Sequence, residues 1–236
     1  MNKIIVFEVS GEYAHFRKHY TTSSPLTFSF PPRTTICGLI AAIIGLDKDN
    51  YLDHFSKEEA NIALCIKKPI TKIRFAENLI DTKTAYMMSK IVNRTQIRFE
   101  FIKEPLYRIY LSHKDEIIYS KILEMLQNKK CVYTPCLGLS EHIANVEFIG
   151  EMEQKQLTAK DFTHINSVVP FSENKQIKIN YEIDKEYFTE TMPNEMDSTR
   201  EVKEYLKIIF ERTGSTIQLK GIDFRLLSND ERIIFL

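Results

Sequence analysis

The 236-residue chain has only seven glycines and four cysteines, and its longest apolar run is brief. That run, from Ile36 to Leu46, falls well below the ~20 apolar residues that a helix needs to cross a bilayer, which excludes a membrane span there. The chain opens MNKIIVFEVS and reaches Glu8 before any secretory apolar stretch can form, so a cytoplasmic protein with no membrane partner is expected. Cys37, Cys65, Cys131 and Cys136 are too few and too scattered for a disulfide framework. The spacing of the last two does not suit a zinc knuckle, so all four read as buried free thiols and no metal site is expected. The few glycines form neither GxxxxGKS/T nor GxGxxG, which removes the usual nucleotide cradles. An RNP1-like aromatic run, an internal repeat, a low-complexity tract and a Pro/Ser linker are also missing. Net charge is zero, 32 basic against 32 acidic residues, so bulk attraction cannot hold a nucleic acid and only a local patch can.

What is present is an ordinary globular composition, 43% hydrophobic and 27% charged, enough for one large domain or two small ones. The charge is unevenly spread. Between Asn61 and Lys114 eleven Lys or Arg residues face four Asp or Glu, whereas residues 151–200 carry ten acids and six bases. One end of the molecule is therefore more basic than the other.

Residues 3–9, KIIVFEV, are apolar on both parities, as a central strand requires. Pro31 and Pro32 force an extended lead-in, Thr34 or Thr35 can cap a helix, and the apolar run supplies about three turns. Gly38, Ala42 and Gly45 share one helical face, which predicts close approach to a sheet. NIALCI and TKIRFA read as strands, the second alternating Ile73 and Phe75 with Lys72 and Arg74. Residues 77–95 lack a sustained period and leave the sheet, then QIRFEFI and LYRIYL resume it. Asp115 to Asn128 forms a helix with Ile118, Ile122 and Met125 on its inner stripe, and IANVEFIG is a further core strand. This order gives an α+β, ferredoxin-like βαββαβ pattern. Beyond it QIKINYEI alternates as a strand, and TIQLKGIDFRLL changes parity across Gly221, which predicts a β-bulge. The domain expectation is a body over residues 1–150 and a β-rich C-terminal lobe over 151–236, packed on it.

Three segments have the composition of an RNA contact. Arg17, Lys18, His19 and Tyr20 bring cations and a ring to the loop after the first strand, suited to a phosphate and a stacked base. Arg33, Thr34 and Thr35 stand at a helix start, where free N–H groups attract anions; plain capping is the other reading. In the excursion, Tyr86, Met87 and Met88 lie between Lys83, Lys90 and Arg94, an apolar tip with basic flanks that can wedge between nucleotides. A metal-independent endoribonuclease with His19 or His113 as general base, steadied by Lys18 or Lys114, is permitted but not selected.

A set of residues in fixed order resembles a known family: Phe16-Arg17, Ser24-Pro25, Phe30-Pro31-Pro32-Arg33-Thr34-Thr35, Gly38-Leu39 and Gly45, then Asn93-Arg94-Thr95-Gln96, Pro105, Tyr107-Arg108-Ile109-Tyr110, Pro135, Leu137-Gly138-Leu139-Ser140 and Ala144. Over residues 1–150 the chain resembles the CRISPR-associated Cas-five proteins of the RAMP superfamily, most closely the subtype I-B kind. The resemblance implies an RRM-type body with a β-hairpin thumb at about residues 78–100. It further implies a non-catalytic Cascade subunit in antiviral defence. Such a subunit binds the 5′ handle of crRNA, caps a backbone filament of Cas-seven subunits and meets the large Cascade subunit. Under it, Arg17, Lys18, His19, Tyr20, Arg33, Thr34, Thr35, Met87, Met88, Arg94 and Gln96 are the expected RNA contacts, with no cofactor. The glycine-rich loop that RAMP proteins often carry is reduced here to Gly138.

Overall fold

The computed structural model describes residues 3–21, 23–80, 94–171 and 177–236. Strand β1, Lys3–Ser10, and the two-residue β2, Tyr13–Ala14, precede helix α1, Arg33–Ile44, and the single turn α2, Tyr51–His54. Strands β3, Ala60–Ile66, β4, Lys72–Ile80, β5, Arg94–Lys103, and β6, Leu106–His113, lead into helix α3, Glu116–Gln127. The long β7, Asn145–Thr158, is followed by β8, Thr163–Ile165, β9, Val169–Pro170, and β10, Lys178–Asn180. Then come β11, Tyr187–Met196, β12, Val202–Glu211, β13, Ile217–Lys220, β14, Asp223–Leu227, and β15, Arg232–Ile233. Among the described residues no helix is long and apolar enough to cross a membrane.

The fold is mixed α/β, mostly strands. Six of them form an antiparallel sheet in the order β15–β14–β7–β1–β6–β3. The unbroken apolar run of β1 is explained by what lies on its two faces. Ile5, Phe7 and Val9 join the core under α1 and α3, while Ile4 and Val6 pack with Ala63, Cys65 and Tyr110 beneath Leu227 and Ile233 of β14 and β15. The sheet thus curls over its own second face, because β7 pairs with β1 through residues 145–153 and with β14 through 154–158. Phe7, Phe30, Ile36 and Ile40 are essentially inaccessible, and each such side chain is worth ~1.5–3 kcal/mol of burial.

Most expected elements form, with instructive shifts. Helix α3 forms as expected, and Asp115, read as its first residue, is instead its N-cap, accepting from the amides of Ile117 and Ile118. Helix α1 begins two residues or more earlier than a threonine cap would allow: Pro32 is its N-cap and no side chain caps it. Gly38 and Ala42 do not approach the sheet. A Cβ on Gly38 would instead meet the Tyr51 ring, and Gly45 (φ 73) closes the helix in the left-handed region. QIKINYEI yields only the three-residue β10. Gly221, at φ 81, separates strands of two different sheets and makes no bulge. The expected boundary at residue 150 falls inside continuous strand β7. Of the thiols, Cys37 and Cys65 are buried and Cys131 is exposed, since it lies in an exposed run after α3. Burial pushes the Cys37 and Cys65 pKa values up to about 11.

Candidate nucleic-acid interface

The segment after β2 folds back on itself because its apolar residues alternate with polar ones. Phe28 N donates to Phe16 O, Lys18 N to Leu26 O, and Phe16 N to the Thr27 hydroxyl, so Phe16 and Phe28 are buried while Arg17, His19 and Tyr20 stay outside. Gly138 closes in from the other side. It has φ 96, and a Cβ there would sit 1.9 Å from His15 O, so only glycine lets this loop lie against the segment.

Together these parts frame a cleft of about 310 Å³. Its floor is the start of α1, with Pro32, Thr34 and Thr35; Arg17 and His19 form one wall, and Pro193, Met196, Val202 and Tyr205 of the β11–β12 hairpin form the other. Among the described residues no acidic one lines it, and the first turn of α1 holds none. An uncapped helix start offers free amides and a positive dipole end to an anion. His19 packs 5.2 Å from Tyr20 and 5.3 Å from Tyr205, and both tyrosines are well exposed, at 63% and 47%. These rings have the reach and polarity to stack a base beside a phosphate.

Not every expected contact points into this space. Arg33 is a correction, because it is 2% exposed and its guanidinium donates to Ala60 O at 2.8 Å, Ser56 O at 3.1 Å and Asn194 O at 3.4 Å. Three backbone carbonyls from distant segments draw it inward. Lys18 is a second correction: its ammonium lies 3.1 Å from Glu190 and over the Phe28 ring, largely out of solvent. Burial pulls the Lys18 pKa down, but the Glu190 carboxylate more than offsets this and the net shift is upward. Thr34 and Thr35 line the cleft without serving as caps. Met87 and Met88 lie outside the described residues.

Arg94 and Gln96 stand exposed on the β4–β5 hairpin, opposite Ile80 and Asn78. The hairpin is fixed at its base: Phe75 stacks on Phe101 at 4.3 Å, and Glu100 binds Arg74 and Lys72. Burial raises the Glu100 pKa, but hydrogen bonds from Arg74 and Lys72 outweigh it, so the carboxyl is held below its ordinary value. Lys72 also donates to Thr27 O, which ties hairpin and cleft to one loop.

His15 and His113 are both enclosed. His15 Nδ1 donates to Glu100 O at 2.7 Å, leaving Nε2 as the unprotonated, partnerless nitrogen of the neutral ring. In His113, Nε2 donates to His54 O and Nδ1 accepts from Asp115 N, so neither nitrogen is free to act as a base. Tyr205 escaped the sequence reading. Its signal was an aromatic ring on the outward register of the amphipathic strand EVKEYLKIIF, between Lys203 and Lys207.

The sequence profile of a family described as CRISPR-associated protein (Cas_Cas5) matches residues 4–198. The solved structure of a CRISPR protein from Archaeoglobus fulgidus shares the fold, with TM-score 0.61 at 16% identity, covering 99% of this chain and 98% of that one. A chain of a CRISPR RNA-guided surveillance complex aligns at TM-score 0.48 and 11% identity over 97% and 92% of the two chains. One from a Type III-B Cmr-beta complex bound to cognate target RNA aligns at 0.47 and 11% over 90% and 86%. No curated protein matches the sequence.

Proposed function

As this chain belongs to the CRISPR-associated Cas5 family, we propose that it is a non-catalytic RNA-gripping subunit of a type I-B Cascade complex in antiviral defence. It holds the 5′ handle of crRNA, caps the Cas-seven filament and contacts the large subunit. The core order β7–β1–β6–β3, with α1 and α3 on one face, supports reading the body as ferredoxin-like and RRM-type, with β4–β5 as the thumb and residues 151–236 as a β-rich lobe.

One observation carries the RNA assignment: the uncapped start of α1 opens into an acid-free cleft that also holds Arg17, His19 and Tyr205. A phosphate fits at the amides beside Arg17, and a base fits against the His19 and Tyr205 rings. Of the two candidate bases, His113 is enclosed with both ring nitrogens bonded and cannot reach a proton to remove, which leaves the exposed His19 as the base that cutting would need.

The test is titration of handle RNA against the purified chain across a salt series. Net charge is zero, so weak binding with steep salt dependence is expected, and Arg17→Ala should flatten the log–log slope by about 0.7 for one lost phosphate contact. Tyr205→Ala should weaken binding at all salt concentrations. If neither variant changes retention of crRNA in the co-expressed complex, the cleft is not the grip. A defined cut in repeat RNA by the chain alone, lost in His19→Ala, would favour the endoribonuclease instead.

A further inference from the structure

Helices α1 and α3 end near each other, and the exposed segment after α3 runs back along α1. Val132 N donates to Ile43 O at 3.0 Å and Tyr133 N to Ala42 O at 2.9 Å, satisfying carbonyls in the last turn of α1. Beside this segment lies a groove of about 300 Å³ walled by aliphatic side chains, among them Ile43, Leu126, Ile143 and Val146. Ile143 in its wall is 63% exposed and Val132 on the segment beside it 54%, apolar surface that water covers poorly, while the Tyr133 ring lines a separate pocket with Leu46 and Tyr51. Lys129 and Lys130 also line the groove. Both are exposed, neither makes an ion pair with any described carboxylate, and no described acidic residue lines this groove.

Lys129 is held there at a cost. The amides of Lys129 and Lys130 donate to Leu126 O and Met125 O, the double bond of a Schellman ending, and Lys129 takes the left-handed position at φ 52. Glycine fills that position with less strain, so a lysine there breaks a local rule that its charge can explain.

We propose that this groove docks a segment of another polypeptide that presents aliphatic side chains flanked by carboxylates. The walls select the occupant. No aromatic ring or guanidinium plane lines the groove, so it lacks the stacking surface a nucleobase needs, whereas branched aliphatic walls suit Leu, Ile or Val. The two unpaired lysines supply the complement to acidic flanks. The chain's own exposed Ile183, between Glu182 and Asp184, has similar chemistry, but that single turn is far smaller than the roughly 800 Å² per partner of a stable interface. The groove lies at the end of α1 opposite the cleft, with Ile43 in its wall eight residues, at ~1.5 Å each, beyond Thr35 of the cleft, so the inference does not rest on the RNA assignment.

The test places a benzoylphenylalanine photo-crosslinker at Val132 of the full chain, in cells that express it with its genomic neighbours. The expected adduct maps to one stretch of a different protein containing aliphatic and acidic residues. Lys129→Glu with Lys130→Glu should cut its yield roughly tenfold through charge reversal. Lys129→Gly serves as the variant that cannot fail by misfolding: it should raise the unfolding midpoint and still lower the yield. The proposal is overturned by an adduct to RNA, an adduct to a second copy of this chain, the absence of any adduct, or a yield indifferent to both charge changes.

Discussion

Arginines 17 and 33 lie sixteen positions apart, close to the same cleft, and do opposite work. The Arg17 side chain is exposed and among the described residues bonds Thr21 O alone, so its loss should cost the fold within about 0.5 kcal/mol, as at other surface sites. Arg33→Ala would take the guanidinium donor from the carbonyls of Ala60 and Asn194 and open a cavity under α1, while Ser56 O keeps the amides of Glu59 and Ala60, and each orphaned group costs roughly 1–3 kcal/mol. Urea unfolding should therefore separate them, with Arg33→Ala losing about 3 kcal/mol or more and Arg17→Ala almost nothing. A second prediction concerns acid. Burial lowers the pKa of His15 and also that of His142, so the unfolded chain binds protons first as pH falls below the ordinary value of 6.5. Stability contributed by the neutral rings is complete above that value and drains away as pH drops toward the folded-state values. The unfolding midpoint should fall between pH 7 and pH 5, and His15→Gln with His142→Gln should flatten that stretch. The loss below pH 4.5, from Glu100 and other carboxylates with depressed pKa values, should remain.

The β4–β5 hairpin is held by its base, through Phe75 on Phe101 and the Glu100 ion pairs. Deleting residues 84–92 should accordingly leave the melting temperature of the free chain nearly unchanged while blocking stable incorporation into a complex. Unfolding of the shortened chain, or its normal assembly, would each refute a thumb role. Elements of this kind were legible because their signals are local: the alternation of TKIRFA and QIRFEFI, the apolar run of β1, and the aspartate before α3 each depend on neighbours within a few residues. What stayed hidden depends on partners far along the chain. The inward turn of Arg33 is decided by carbonyls of Ser56, Ala60 and Asn194, and the tie of Lys18 by Glu190, none of which any periodicity announces. Tyr205 was missed for the same reason, since a wall of a cleft has meaning only once the opposite wall is known.

Across the whole molecule, the basic and acidic stretches meet. Glu190 of β11 accepts from Lys18, Ser29 N and Ser29 Oγ and stands 3.8 Å from Lys72, joining the loop at the cleft to the later strands. Glu190→Ala should cost about 2 kcal/mol, and limited proteolysis should then cut within the 17–28 loop faster than in the parent chain. On the other side, Arg108 bonds Glu8 and Glu231 together and fastens the β14–β15 turn over the β1 and β6 strands of the same sheet. The β11–β12 wall of the cleft has a consequence in time. A chain leaving the ribosome exposes Arg17 and the start of α1 well over a hundred residues before Tyr205 arrives, so the early body emerges with an open-sided notch. If the cleft is the proposed RNA grip, firm hold must wait for nearly complete synthesis, and stalled nascent chains that end before β12 should release handle RNA that a finished chain would keep.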